Sequence, residues 1–144
     1  MVSKDALIKR LQELYLYSLY GFSSELKPLS MILDPGETVN FFARGLHDGT
    51  RQMQVITDAR IIFINAPRLS TAGVKVVDRD AVTGHSVSKI MFNSSVRFST
   101  GTDVYEMTRV PSKVLDLFEW SLEQPVKYIP GINRKKKSKK EQDK

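Results

Sequence analysis

Cysteine is absent from this chain of 144 residues, and histidine occurs only twice, at His47 and His85. Without cysteine the chain cannot form a disulfide scaffold, a zinc knuckle, an iron–sulfur site or a thiol nucleophile. Two histidines are too few for a histidine-rich metal cage. We therefore expect a protein with no cofactor and no bound metal.

Long apolar runs are also missing, because no segment reaches the roughly 18–20 residues that a membrane-spanning helix needs. The longest candidate, residues 11–22, is interrupted by Gln12, Glu13 and Ser18. Charged side chains are interleaved through residues 4–13, where a secretory signal requires a continuous apolar stretch. These absences predict a cytoplasmic protein, at most peripheral to a membrane.

Catalytic motifs are missing as well. The sequence has no phosphate-cradling glycine loop, no dinucleotide fingerprint and no metalloprotease helix motif. Acid–base or nucleophilic chemistry needs a base beside a nucleophile or a second carboxylate, and neither histidine has a distinctive partner motif. The sequence predicts a protein that is not an enzyme and has no evident small-molecule substrate.

The formal net charge of +6 is concentrated at the C-terminus. Residues 134–144 contain seven cations and two anions, which leaves residues 1–133 with fifteen cations and fourteen anions. The tail lysines are candidates for contact with anionic lipid or phosphate. They are Lys135, Lys136, Lys137, Lys139 and Lys140. Since no aromatic side chains are interleaved with them, any binding to nucleic acid is expected to be weak and nonspecific.

Helical spacing of apolar residues predicts a first helix over residues 3–20. Ser3 is its expected N-cap, and Gly21 is the expected left-handed residue that ends it. The apolar face carries Leu7, Leu11, Leu14, Tyr15, Leu19 and Phe22. A second helix is predicted over residues 24–33, with Pro28 in its first turn.

The apolar surface of the first helix is wider than one packing face requires. Ile8, Leu16, Tyr17 and Tyr20 lie outside the stripe. If the stripe packs against the domain, these four residues stay exposed, and an exposed aromatic and aliphatic patch marks a partner surface. We predict that they bind a protein partner or a second copy of the chain; the alternative is a helix that serves packing alone.

Between residues 37 and 108 the pattern changes to the period of two that is typical of strands. Seven short strands are predicted, at residues 38–43, 53–57, 60–65, 74–77, 85–91, 96–100 and 104–108. Such strands cannot hide their edges in one flat sheet, so we expect a small antiparallel barrel or sandwich. A helix that begins at Pro111 and runs through Glu123 follows the strands.

This layout resembles a pleckstrin-homology (PH) domain. Three segments resemble the bacterial PH families in particular: residues 33–37, the 55–64 hairpin with its Thr-Asp-Ala-Arg turn, and residues 82–87. The lead-in at residues 25–29 resembles the YokE-like subgroup. The resemblance covers residues 24–123 and implies a mostly β, α+β fold, in which a C-terminal helix caps a seven-stranded antiparallel barrel or sandwich.

The resemblance implies a non-enzymatic binding module in three parts. A helical extension occupies residues 1–34, the PH-like barrel with its helix residues 35–124, and a linker with a disordered basic tail residues 125–144. Members of the superfamily that bind phosphoinositides resemble one another in a cluster of lysines and arginines around the first two strands, which this chain lacks. The principal predicted function is therefore protein interaction or self-assembly through the apolar helix and the barrel surface.

Peripheral binding of anionic membrane lipid, through the basic tail and rim arginines, is the alternative function. The turns at one rim of a small barrel bring cations together, and the candidates are Arg44, Arg51, Arg60 and Arg68. For Arg60 a structural role is the stronger interpretation. Asp58 is expected to bond backbone amides of its turn, and Arg60 to pair with it or clamp a neighbouring loop.

Overall fold

Helices precede and follow the strands in the computed structural model, which describes residues 1–65 and 73–133. The four helices are α1 (Lys4–Glu13), α2 (Tyr17–Tyr20), α3 (Leu26–Ile32) and α4 (Leu115–Glu123). Within the described ranges, no helix has the length and apolar character needed to cross a membrane.

Seven antiparallel strands form one sheet in the order β4-β3-β2-β1-β7-β6-β5. The strands are β1 (Val39–His47), β2 (Thr50–Thr57), β3 (Arg60–Asn65), β4 (Gly73–Asp78), β5 (Gly84–Ser88), β6 (Ser94–Ser99) and β7 (Val104–Val110). The predicted PH-like fold with its C-terminal helix is confirmed. The sheet is not closed, because β4 and β5 are its two edges and do not pair with each other.

Strand β3 and most of β1 are buried, as is β2 from Met53 onward, whereas β2 begins with exposed Thr50 and Arg51. Helices pack against both faces of this part of the sheet. Phe41 packs edge-on against Phe118 of α4, with ring centroids 5.4 Å apart. Its neighbour Phe42 points to the other face and packs against Tyr20, at 5.5 Å. The N-terminal helices therefore complete a second hydrophobic layer outside the sheet.

The first helix ends earlier than predicted, and this changes which side chains are buried. Ser3 caps α1 as expected, accepting from the backbone N–H of Ala6 at 3.0 Å. The left-handed residue is Tyr15 (φ 60°), whereas Gly21 has a helical φ of −60°. The N–H of Leu16 donates to the carbonyl of Leu11 at 2.8 Å, which closes α1 with a Schellman-type reversal.

The reversal turns the chain back toward the sheet, so the expected exposure of two residues is wrong. Leu16 is 3% exposed and Tyr20 6% exposed, and both belong to the core. Two residues predicted to face inward lie outside instead: Tyr15 is 88% exposed and Phe22 92% exposed. The physical reason is the break after Glu13, because the residues that follow no longer share the helical phase of α1.

Strands β1 and β7 approach each other closely beside Gly45. Leu46 pairs with Thr108 there, and a Cβ on Gly45 would lie only 2.5 Å from the Thr108 carbonyl oxygen. Glycine is required at this position because any side chain would push the two strands apart. This close approach, which we call the β1–β7 crossing, joins the two halves of the sheet.

The turn between β2 and β3 fastens several distant segments. The Arg60 guanidinium donates to both carboxylate oxygens of Glu37 and to the Ile32 carbonyl, so it clamps the loop before β1. The Asp58 carboxylate accepts from the Thr38 N–H at 3.0 Å. Residues 125–133, which we predicted as linker, return to this turn: Asn133 Nδ2 donates to the Ala59 carbonyl at 3.3 Å.

Candidate binding surface

Exposed apolar side chains gather in the segment between α1 and α3. We name Tyr15, Tyr17, Leu19 and Phe22 the helical patch. Tyr15 and Phe22 are almost fully exposed, Leu19 is 38% exposed and Tyr17 is half-buried. The rings of Tyr17 and Phe22 are in contact, with centroids 5.9 Å apart. The patch presents three aromatic rings within eight residues of chain.

The four apolar residues predicted to bind a partner do not lie on one surface in the structure. Leu16 and Tyr20 lie in the core, and Ile8 is half-buried and packs against it. Only Tyr17 joins the helical patch. The other patch members were predicted to face inward, and Tyr15 itself carries the backbone reversal that turns them out.

Three arginines line one cavity of about 220 Å³ beside the helical patch. Arg44 of β1 and Arg51 of β2 meet there because the β1–β2 hairpin pairs Leu46 with Arg51. Arg109 reaches it from β7, where the backbone has a left-handed φ of 57°. We name this the arginine cavity; its apolar wall consists of Leu19, Tyr20, Leu46 and Pro111.

The charges in the arginine cavity are unequally compensated. Arg44 Nη2 donates to both carboxylate oxygens of buried Glu25, at 2.7 and 2.9 Å. Arg51 and Arg109 form no ion pair with any residue in the described ranges. Burial raises the pKa of Tyr20, and the adjacent backbone N–H and positive charge of Arg44 partly oppose this rise. Two of the three arginines at the cavity are therefore without an ion-pair partner among the described residues.

The remaining cations predicted for an anion site are not placed at this cavity. Arg60 is buried at the β2–β3 turn, where its guanidinium binds the Glu37 carboxylate. Arg68 and the tail lysines lie outside the residues that the structure describes. These are Lys135, Lys136, Lys137, Lys139 and Lys140.

A second concave surface adjoins the arginine cavity and shares Arg109 and Pro111 with it. This groove, of about 1030 Å³, lies between the end of β7 and residues 89–93, which we name the β5–β6 loop. Ile90, Met91 and Phe92 of the loop are 59%, 81% and 95% exposed. We did not predict this feature because residues 85–91 were assigned to a strand; three consecutive apolar residues, which break the period of two, were the available signal.

A family model described as "Bacterial PH domain" matches residues 33–118. No curated protein gives a significant match. Among solved structures, a DUF1696 family protein with a pleckstrin-homology domain from Shewanella loihica PV-4 has 18% identity and a TM-score of 0.43, with 83% of this chain and 91% of that chain covered. A pleckstrin homology domain from Shewanella amazonensis SB2B has 13% identity and a TM-score of 0.44, with coverages of 71% and 83%.

Proposed function

The chain belongs to the bacterial PH domain family, and from this premise we propose that it is a non-enzymatic binding module. Its partner is another protein or a second copy of the chain, and the helical patch is the surface that binds it. The lead-in at residues 25–29 supports a place in the YokE-like subgroup. The module acts in the cytoplasm, free or at the membrane surface.

One observation carries this proposal: the rings of Tyr15 and Phe22 are 88% and 92% exposed. Leu16 and Tyr20, between them in the chain, anchor the intervening segment in the core. Aromatic side chains are enriched in protein interfaces, and covering a large apolar side chain contributes roughly 1.5–3 kcal/mol. The helical patch therefore offers exposed apolar side chains to a partner, on a segment that is anchored in the core.

The test uses the full chain with Tyr15→Ser and Phe22→Ser combined. Met31→Ser is the matched control, because Met31 is 63% exposed on α3 and outside the helical patch. Sedimentation velocity over a range of concentrations measures self-association, and affinity capture from native extract measures other partners. We expect the double variant to weaken association at least about tenfold, and the control to leave it unchanged.

The two measurements separate the possible partners. A wild-type mass that rises with concentration identifies a second copy, whereas a monomer that retains a defined protein identifies a different partner. If the double variant has the wild-type mass and retains the same proteins, the helical patch is not the binding surface.

Peripheral binding of anionic lipid is a second candidate function, and the convergence of Arg44, Arg51 and Arg109 on one cavity supports it. The tail lysines would add electrostatic affinity of about 1 kcal/mol for each cation near an anionic surface. Lipid binding of this kind falls steeply with salt, whereas apolar docking at the helical patch persists. Deleting residues 134–144 and, separately, replacing Arg51 and Arg109 by Gln should each lower binding to anionic vesicles.

A further inference from the structure

Three successive apolar side chains form the tip of the β5–β6 loop. The Asn93 N–H donates to the Ile90 carbonyl at 2.9 Å, so residues 90–93 form a tight turn with Met91 and Phe92 at its corner. The two side chains are 81% and 95% exposed, which means that they project from the surface and pack against almost nothing. Exposed apolar groups that project together usually mark a binding surface.

The backbone of this turn does not suit a large side chain. Phe92 has a φ of 65°, the left-handed region that glycine and asparagine occupy most readily. A phenylalanine there strains the turn and makes no compensating contact in the core. Strain without a packing benefit is characteristic of residues retained for function.

Positive charge lines the groove on one side of the loop. Lys89 begins it, and Arg109 lies across the groove from it. Arg51 follows in the adjoining arginine cavity, where the charge of Arg44 is paired with Glu25. No aspartate or glutamate lines the groove itself in the described part of the chain. On the other side of the loop, Glu106 lies near Ile90 and is paired with Arg97. The groove side of the apolar tip therefore attracts anions.

We infer that the β5–β6 loop inserts Ile90, Met91 and Phe92 into the interfacial region of an anionic bilayer, while Lys89 and Arg109 contact the lipid headgroups. This inference rests on the second candidate function, lipid binding, and adds an apolar insertion element to it. An apolar tip with flanking cations is the arrangement that binds at the boundary between headgroups and acyl chains.

Two features favour a bilayer over other occupants of this surface. A bilayer yields around a projecting side chain, whereas a protein partner must supply a preformed pocket for Phe92. A second copy of the chain bound through this same surface would bring two positively charged surfaces together, which is unfavourable. An acidic protein partner is tested as an alternative outcome below.

The experiment measures cosedimentation of the full chain with phosphatidylcholine vesicles, with and without phosphatidylglycerol. Phe92→Gly and Met91→Ser remove the apolar tip, and Phe92→Gly also relieves the backbone strain, so loss of folding does not explain its effect. Val104→Ser is the matched control, because Val104 is 61% exposed at the opposite end of the β6–β7 hairpin. Thermal unfolding of each variant confirms that it is folded.

The wild type should bind the anionic vesicles and not the neutral ones. We expect Phe92→Gly and Met91→Ser each to lower the partition coefficient at least about tenfold, and Val104→Ser to leave it unchanged. With Trp120→Phe as background, a tryptophan introduced by Phe92→Trp should show blue-shifted emission on addition of anionic vesicles, which reports entry into an apolar phase.

Each contrary result identifies what failed. If the loop variants bind like the wild type but Arg51→Gln and Arg109→Gln weaken binding, lipid binding stands and loop insertion is wrong. If the wild type binds neither vesicle, both lipid binding and loop insertion are wrong. If the wild type binds no vesicles but binds an acidic protein, and the Phe92→Gly variant does not bind that protein, the loop is a protein-docking site and the inference is overturned.

Discussion

Arg60 and Glu37 form a buried ion pair joined at two points: Nε donates to Oε2 at 2.8 Å and Nη2 to Oε1 at 3.0 Å. The same carboxylate accepts from the Thr57 hydroxyl at 2.6 Å, and Arg60 also donates to the Ile32 carbonyl. The pair therefore joins the end of α3 and the start of β1 to the β2–β3 turn. The Arg60 guanidinium and the Glu37 carboxylate are therefore both bonded to groups within the fold.

Removing one partner should be strongly destabilising, because the other charge remains buried without compensation. Glu37→Ala is expected to lower the free energy of unfolding by about 3–5 kcal/mol, measured by urea denaturation. Glu106→Ala breaks the exposed pair with Arg97, whose nitrogen–oxygen distance is 3.5 Å, and should cost no more than about 1 kcal/mol. Equal losses in the two variants would contradict the structural role of Glu37.

The left-handed backbone at Tyr15 predicts a stabilising substitution. Tyr15→Gly should raise the free energy of unfolding by up to about 1 kcal/mol, since glycine adopts this conformation without steric cost and the ring buries little surface. Tyr15→Ala removes the same ring but keeps a Cβ, so it should bring no such gain. If glycine is no better than alanine in thermal denaturation, the reversal after α1 carries no strain.

The β1–β7 crossing predicts a size limit at Gly45. Gly45→Ala would place a Cβ 2.5 Å from the Thr108 carbonyl oxygen and 2.6 Å from the Met107 side chain. We expect destabilisation of about 1–3 kcal/mol, with faster hydrogen exchange in β1 and β7. Gly101→Ala is the control, because nothing lies within 4 Å of its Cβ position. A neutral Gly45→Ala would show that the strands separate freely there.

Burial of Tyr20 predicts a loss of stability at alkaline pH. The pKa of Tyr20 is raised in the folded state, chiefly by burial. As pH rises through the unfolded-state value of about 10, the unfolded chain loses a proton that the folded chain keeps, so the free energy of unfolding falls. Tyr20→Phe removes this contribution. The free energy of unfolding of the wild type should therefore fall relative to that of the variant between about pH 8 and about pH 11; a difference between the two that does not change with pH would contradict the prediction.

Local chemistry accounts for the elements that were predicted correctly. Two of the predicted strands, at residues 38–43 and 53–57, form the β1–β2 hairpin. Asp48 and Gly49 between them have the positive φ values, 51° and 73°, that an Asp-Gly dipeptide favours. The C-terminal helix follows Pro111 as predicted, but it begins later: Pro111 has an extended ψ of 138° and precedes a 3₁₀ turn at Ser112–Val114, and α4 starts at Leu115. Seven strands could be predicted because the alternation of apolar and polar residues that indicates a strand depends only on a few neighbouring positions.

The candidate binding surface was less predictable because it depends on contacts between distant residues. Leu16 and Tyr20 lie outside the apolar stripe of the predicted helix, so an exposed patch was expected for them. Packing against Phe42 and its neighbours places Tyr20 in the core. Arg60 has the charge of an anion-binding residue, but Glu37, 23 positions away in the chain, neutralises it. Burial and ion pairing follow from proximity in space, which residue type does not encode.

The fold class, the number of strands and the presence of a C-terminal helix could be predicted from the sequence, since period, turn residues and caps are local properties. The end of α1, the apolar side chains that remain exposed and the arginines that converge depend on contacts between distant residues. Tyr15 takes a left-handed conformation because burying Leu16 and Tyr20 outweighs the cost of one strained residue.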